Sequence, residues 1–204
     1  VHGCLHTLIE LYNRINSKYP DAEVYCVGDL VDRGVYSAET IQFIIDKKIK
    51  CTLGNHDCMF YFYFSDPNHE ISKIWDLNGN ATTLHSYMKH QALLDSHLEF
   101  IGKLPLFYNF NDCFISHAGI SSRNSKRLGL NLKFDAESIE KYYFDKLGDS
   151  DGILWNRDTL ADIGKLQIVG HTKKMDVVFV EDSNALYIDT GAYSHNKLSA
   201  VILE

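Results

Sequence analysis

The sequence predicts an α/β fold of two mixed β-sheets flanked by helices, and three observations carry that prediction. The first fifty residues alternate amphipathic helical patterns with short apolar runs. The region after residue 105 returns to short strand patterns separated by polar turns. Several of the apolar runs end in a Gly-marked loop that carries Asp, Asn or His. Helix-strand alternation is the pattern of a parallel sheet, whose ligands gather at the carboxyl ends of its strands.

Leu5, Leu8, Ile9, Tyr12 and Ile15 recur at three- and four-residue spacing, which predicts a helix closing before Pro20. Val24 to Val27 reads as a buried strand ending at Gly28. Ser37 is placed to cap a second helix running to Asp46, with Ile41, Ile44 and Ile45 facing inward. Ile49 to Leu53 is a second strand that runs into Gly54-Asn55-His56-Asp57. From residue 58 to 103 the pattern is mostly helical, with breaks at Pro67, Gly79 and Gly102, and it reads as an inserted cap or lid. Leu106 to Phe110 and Cys113 to Ser116 flank Asn111-Asp112 as a hairpin that delivers His117. An irregular stretch to about Asp135 precedes a helix bearing Ile139, Tyr142, Tyr143 and Leu147. Leu166 to Val169, Val177 to Glu181, Ala185 to Ile188 and Leu198 to Leu203 read as strands. A parallel half followed by an antiparallel half implies two packed sheets covered by helices.

At 204 residues and 45% apolar content the chain can bury an ordinary core, and a single domain over residues 1–204 is expected. Only three prolines are present, and no Gly/Ser-rich linker divides it. A formal charge of -7 argues against a nucleic-acid partner held by a general positive field. Cys4, Cys26, Cys51, Cys58 and Cys113 form no CxxC pair, and an odd count suits reduced thiols in a cytoplasmic setting. The longest aromatic-apolar run, Met59 to Phe64, is far short of the ~20 residues that span a bilayer. No basic-then-apolar leader pattern is evident, so neither a membrane nor a secretory route is expected.

Gly28-Asp29-Leu30-Val31-Asp32-Arg33-Gly34 sets two carboxylates and a guanidinium just past a strand. His2, Asp29, Asn55, His117 and His171 lie in comparable loops and are nitrogen and oxygen donors suited to Mn²⁺, Fe or Zn²⁺. Two metals bridged by one carboxylate, about 3.5 to 4 Å apart, bring a shared water's pKa toward ~7 and clamp an in-line phosphoryl displacement. Asp29 would be that bridge. A protonated His56, its ring oriented by Asp32, could donate to a leaving oxygen. Arg33 and Arg157 could hold phosphoryl oxygens, a task the planar guanidinium does better than Lys.

Singly, each signal has an ordinary explanation. The Gly28 to Gly34 stretch could be a turn with a surface ion pair, His117 or His171 a satisfied core histidine, and Arg157 a partner stacked on Trp155. His6, His69, His85, His90, His97 and His195 read as solvated or packing residues, and Lys173-Lys174 as a solvated pair. Joint occurrence in order is what changes the odds.

Taken together, Val1-His2-Gly3, Gly28-Asp29-Leu30-Val31-Asp32-Arg33-Gly34, Gly54-Asn55-His56-Asp57, Ser116-His117-Ala118-Gly119, Val169-Gly170-His171-Thr172 and Ile188-Asp189-Thr190-Gly191-Ala192 resemble the motif set of the phosphoprotein phosphatases. These belong to the calcineurin-like metallophosphoesterases. The compact length and Trp155-Asn156-Arg157 resemble bacterial and phage members, which include Ser/Thr protein phosphatases and dinucleoside polyphosphate hydrolases. The resemblance implies the metallo-dependent phosphatase fold and two divalent ions, Mn²⁺ foremost. His2 would bind the first ion, Asp29 would bridge, and Asn55, His117 and His171 would bind the second. It further implies His56 with Asp32 as the acid pair and Arg33 with Arg157 on phosphate. The family's first motif is Asp-x-His-Gly. Its Asp would fall immediately before Val1, so that residue and the strand presenting it are expected outside these 204 residues. Leu53 stands where the protein phosphatases often place Arg, a context closer to some nucleotide hydrolases.

The expected activity is hydrolysis of phosphomonoesters by metal-bound hydroxide without a phosphoenzyme, on a phospho-Ser/Thr protein or a small phosphoester. The alternatives are a bis(5'-nucleosyl)-tetraphosphate hydrolase and a non-catalytic metal-binding scaffold on the same fold. No nucleic-acid or membrane partner is expected, and the sequence is silent on oligomeric state.

Overall fold

A computed structural model describes residues 1–130 and 134–203. The stripe beginning at Leu5 forms α1 (Leu5–Lys18), which buries Leu8 and leaves Ile9, Tyr12 and Ile15 half-buried. β1 (Tyr25–Cys26) follows, then α2 (Ser37–Asp46), which buries Ile41 and Ile44. β2 (Lys50–Cys51) lies parallel to β1 with Cys26 opposite Cys51. Both strands are shorter than the apolar runs that announce them. At their margins Lys50 N–H donates to the Val24 carbonyl and Thr52 N–H to that of Cys26.

The helical region comprises α3 (Asn55–Ser65), α4 (Glu70–Lys73), α5 (Ala81–Lys89) and α6 (Leu94–Ile101). Its breaks fall near Pro67, Gly79 and Gly102, as the sequence predicts. It is not a lid. Phe60 and Trp75 are fully buried, their rings 5.7 Å apart, and Phe60 also stacks on Tyr87 at 5.2 Å. The segment also bonds to the rest of the fold, Trp75 and Thr83 to Asp32 and Ser86 to Ala38. Ser37 also departs from expectation: Tyr36 occupies the cap position, while the Ser37 hydroxyl faces Asp32 and Thr83 instead of its own helix.

The second sheet contains β3 (Phe107–Asn109), β4 (Cys113–Ser116), β5 (Leu166–Val169), β6 (Val178–Val180) and β7 (Ala185–Tyr187). Their order is β3-β4-β5-β7-β6. β4 with β5 and β5 with β7 pair in parallel, while the hairpin β3-β4 and the pair β6-β7 are antiparallel. The second half is therefore mixed, with a parallel centre that strand patterning alone does not disclose.

Two further sequence readings need correction. Leu198 to Leu203 forms no strand: Leu198 and Val201 pack on the core, but Ile202 and Leu203 are exposed, and the segment borders an apolar cavity of about 400 Å³ shared with Val24, Val27, Ile115 and Ile168. Apolar alternation gives strand only where a neighbouring backbone is within reach. Within the stretch that reads as irregular lies α7 (Ser122–Leu128), capped by Ser121 Oγ accepting from Asn124 N–H and closed by left-handed Gly129. Its polar sequence has no apolar period, and what holds it is tertiary, Asn124 Nδ2 donating to the Asp151 carbonyl at 2.7 Å. Residues 131–133 of that stretch lie outside the described residues. α8 (Ala136–Phe144) follows, burying Ile139 and Tyr143.

Among the described residues no helix is long and apolar enough to cross a membrane. The five cysteines are free thiols.

Candidate metal centre

The site forms where the ends of β1, β2, β4 and β5 meet the N-terminal turn. His2, Asp29, Asp32, Arg33 and His171 all have left-handed backbones, with φ of 52°, 54°, 70°, 68° and 57°. Non-glycine residues adopt this region seldom and at a cost, so five in one neighbourhood mark turns dictated by the surrounding structure. Two glycines let these turns approach. A Cβ on Gly28 would lie 2.6 Å from the Gly54 nitrogen, and one on Gly54 would lie 2.2 Å from the Asp29 nitrogen.

Three buried imidazoles each commit their single proton to a carbonyl. His2 Nδ1–H donates to Val31 at 2.8 Å, His117 Nδ1–H to Val27 at 2.7 Å, and His171 Nε2–H to Trp155 at 3.2 Å. Their other nitrogens therefore present lone pairs. His117 Nε2 faces His171 Nδ1 at 3.1 Å and Asn55 Oδ1 at 2.9 Å, and Asn55 Oδ1 lies 3.1 Å from His171 Nδ1. His2 Nε2 faces Asp29 Oδ2 at 3.2 Å, while Asp29 Oδ1 lies 3.5 Å from His117 Nε2 and accepts from His56 N–H. Lone pairs meeting lone pairs in a buried place call for a cation between them.

Two ligand groups result, His2 with Asp29 and His56, and Asp29 with His117 and His171, the ligand atoms of each within 4.8 Å of one another. Asp29 is common to both. Burial pushes the His2 and His117 rings toward neutrality, and burial with the neighbouring His117 brings His171 down to about 3. Burial works against the Asp29 charge, but the surrounding His117, His2 and His56 outweigh it and keep the carboxyl well below its usual range. Neutral imidazoles around an ionised carboxylate are the protonation states that metal binding requires. Asp29, Asn55, His117 and His171 thus fit one divalent ion, and His2 with Asp29 offers two ligands toward a second.

His56 differs from the other three. Burial opposes its charge, but Asp29 and Asp32 together raise it. Its Nδ1–H donates to Asp32 Oδ2 at 2.6 Å, and its Nε2 accepts from Arg33 Nη2 at 3.1 Å. Arg33 also donates through Nη1 to His2 Nε2 at 3.0 Å, and its guanidinium lies over the Tyr193 ring, 4.3 Å from the centroid. Arg157 is exposed at the rim and makes no hydrogen bond with a described residue, although its charge reaches His171 and lowers it. The structure therefore brings His2, Asp29, Asp32, Arg33, Asn55, His56, His117 and His171 together and leaves Arg157 at the edge.

Sequence reasoning passes over several residues here. Asp57 accepts from the N–H groups of Leu30 at 2.7 Å and Gly54 at 3.0 Å, tying the two loops, with burial and Asp29 bringing its carboxyl up to about 7. Its place beside Asn55-His56 is the available signal. Trp75 and Thr83 bond Asp32 and give no signal, and Tyr193, beside the last motif, carries no expected role.

Comparison with known proteins gives the family of the chain. The calcineurin-like phosphoesterase family matches residues 1–195. The chain is 31% identical over 128 residues to a symmetrical bis(5'-nucleosyl)-tetraphosphatase of Actinobacillus pleuropneumoniae serotype 3, covering 59% of this chain and 43% of that protein. It is 26% identical over 149 residues to the protein of that name from Aliivibrio salmonicida, covering 68% and 49%. The chain thus spans less than half the length of these relatives. Among solved structures, the cold-active protein-tyrosine phosphatase of a psychrophilic Shewanella aligns with a TM-score of 0.65 at 17% identity, over 96% of this chain and 70% of that one. A protein serine/threonine phosphatase from Saccharomyces cerevisiae aligns with a TM-score of 0.60 at 16% identity, over 93% and 64%. At these identities the structures speak for the fold alone. With a family match across nearly its whole length, the chain belongs to the calcineurin-like phosphoesterases.

Proposed function

We propose that this chain is a two-metal phosphoester hydrolase acting as one domain. The observation that carries the reading is the position of Asp29 in both ligand groups. His2 would hold one ion, Asn55, His117 and His171 the other, and Asp29 both. The chemistry that a pair of Mn²⁺ ions, or of Fe or Zn²⁺, supplies in such a site is acidification of the attacking water and neutralisation of phosphoryl charge. Arg33 is free to leave the two imidazoles and grip phosphoryl oxygens, with Arg157 adding charge from the rim. Once Arg33 turns to the phosphate, His56 Nε2 can carry the proton for the leaving oxygen while Asp32 keeps Nδ1–H fixed. A cytoplasmic setting with reduced thiols is part of the proposal.

For the substrate, two readings have separate support. The motif set resembles that of Ser/Thr protein phosphatases. The named relatives are dinucleoside tetraphosphatases, and Leu53 before Gly54-Asn55-His56 is consistent with that branch. Turnover of a phosphoserine peptide beside diadenosine tetraphosphate, each with added Mn²⁺ and with chelator, separates them. The expected result is metal-dependent release from at least one. Absence of hydrolysis of any phosphoester by the full-length protein with Mn²⁺, Fe or Zn²⁺ overturns the enzymatic reading in favour of a metal-binding scaffold.

A further inference from the structure

We infer that Trp75 and Thr83, on the helical segment that reads from sequence as a lid, are positioning residues for the His56–Asp32 pair. The inference rests on the acid role proposed for His56. Asp32 is fully buried, and both of its carboxylate oxygens are held from this segment. Trp75 Nε1–H donates to Oδ2 at 2.8 Å, on the oxygen that also accepts from His56. The Thr83 hydroxyl donates to Oδ1 at 2.7 Å and accepts from the Asp32 backbone N–H at 2.9 Å. Asp32 is thus gripped at side chain and backbone, and its left-handed φ of 70° is held from outside its own loop.

The anchors are rigid in turn. Trp75 and Thr83 are fully buried, and Trp75 is wedged against Phe60 and Tyr63 with ring centroids at 5.7 and 4.9 Å. Ser37 Oγ lies 3.0 Å from Thr83 Oγ1, and Ser86 Oγ accepts from Ala38 N–H at 3.0 Å, so α5 is fastened to the start of α2 beside the Asp32 loop. A carboxylate with fewer donors could rotate about its side-chain bonds and carry the imidazole with it. Two donors from a fixed wall prevent that, and a proton donor displaced by a fraction of an ångström transfers poorly.

Thr83→Val keeps the shape of the side chain and removes both of its bonds to Asp32, Thr83→Ser keeps both bonds, and Trp75→Phe removes one donor. Two readouts on the full-length protein test the role. In proton NMR of the metal-free protein, the His56 Nδ1–H should resonate far downfield in the wild type and in Thr83→Ser, and should broaden or move upfield in Thr83→Val and Trp75→Phe. In Mn²⁺-dependent kinetics, kcat for an alkyl phosphate should fall about 10- to 100-fold in Thr83→Val, part of what a general acid contributes. For p-nitrophenyl phosphate, whose leaving group needs no proton, kcat should change less than about threefold, with KM unchanged for both esters. Recovery in Thr83→Ser completes the expected pattern. A His56 resonance that stays put in both deletion variants, or equal losses of kcat on the two esters, overturns the positioning role. A wild-type protein that turns over neither ester removes the phosphomonoesterase reading and leaves the tetraphosphatase one, and the NMR comparison still decides whether the wall holds the pair.

Discussion

His117 and His97 are both buried histidines, and comparing the regions that hold them shows what separates a candidate ligand from a core residue. In the helical segment, His97 is satisfied on both sides: Tyr87 O–H donates to its Nδ1 at 2.7 Å, and its Nε2–H donates to Gln42 Oε1 at 3.1 Å. At the strand ends, His117 has a complement on one side only, the Val27 carbonyl, and its other nitrogen meets the acceptors of Asn55 and His171. Burial lowers the proton affinity of both rings. Burial and depressed basicity therefore do not identify a metal ligand. An unmatched lone pair that converges with others does.

The largest effect that would break this contrast comes from Asp29→Asn, which removes the only charge shared by the two ligand groups. Metal analysis should find well under one ion per chain, with hydrolysis at background. Retention of two ions would show that the groups do not depend on a common bridge. Next comes His56→Asn. It should keep its metals yet lose about 10²- to 10⁴-fold in kcat on alkyl phosphates, with a much smaller loss on an activated aryl ester, measured by steady-state kinetics on both. Equal losses would remove the distinction between His56 and the three neutral rings.

A more graded outcome is expected from His171→Ala. The ion shared by Asn55 and His117 loses a ligand outright and should weaken by more than the about 10- to 100-fold that altering a ligand's surroundings costs, while the ion at His2 stays. Calorimetric titration with Mn²⁺ reads this as one tight site where the parent shows two.

The smallest effect belongs to His97→Gln, which should leave metal affinity alone and alter stability. The folded protein brings His97 down to about 4, chiefly by burial, with His90 adding to the effect and Asp46 opposing it. Unfolded, the ring titrates near ~6.5. Between those values the unfolded chain binds the extra proton. The stability that neutral His97 contributes is thus complete above about pH 6.5 and is lost as pH falls through that value toward 4. Thermal melts should show a wild-type lead over His97→Gln of about 2–4 °C at pH 7, equivalent to about 1 kcal/mol at this chain length. The lead should shrink at pH 5, and a lead that grows on acidification would contradict a neutral, satisfied His97.

Much of the site is legible in the amino-acid sequence, because loops that end strands must carry their own chemistry close to Gly turns. Gly28 to Gly34 and Gly54 to Asp57 announce themselves that way, and α1, α2 and the β3-β4 hairpin lie where periodicity puts them. The misreadings share a cause. Ser37 reads as a cap because sequence neighbours are all that pattern shows, and pattern gives no sign that Thr83 and Trp75 meet Ser37 and Asp32 across more than forty residues. Leu198 to Leu203 fails for the converse reason, since it has a strand's alternation and no strand beside it.

By itself, then, the sequence determined which residue types stand after which strands, and so which residues are candidate ligands. The tertiary structure alone decided that Asp29 lies between two groups of donors, that His2, His117 and His171 point their protons at carbonyls and their lone pairs inward, and that Trp75 and Thr83 reach Asp32. These are relations between chain segments 16 to 116 residues apart. No local propensity encodes them; they follow from how the sheets and helices pack and from the requirement that every buried polar atom find a complement.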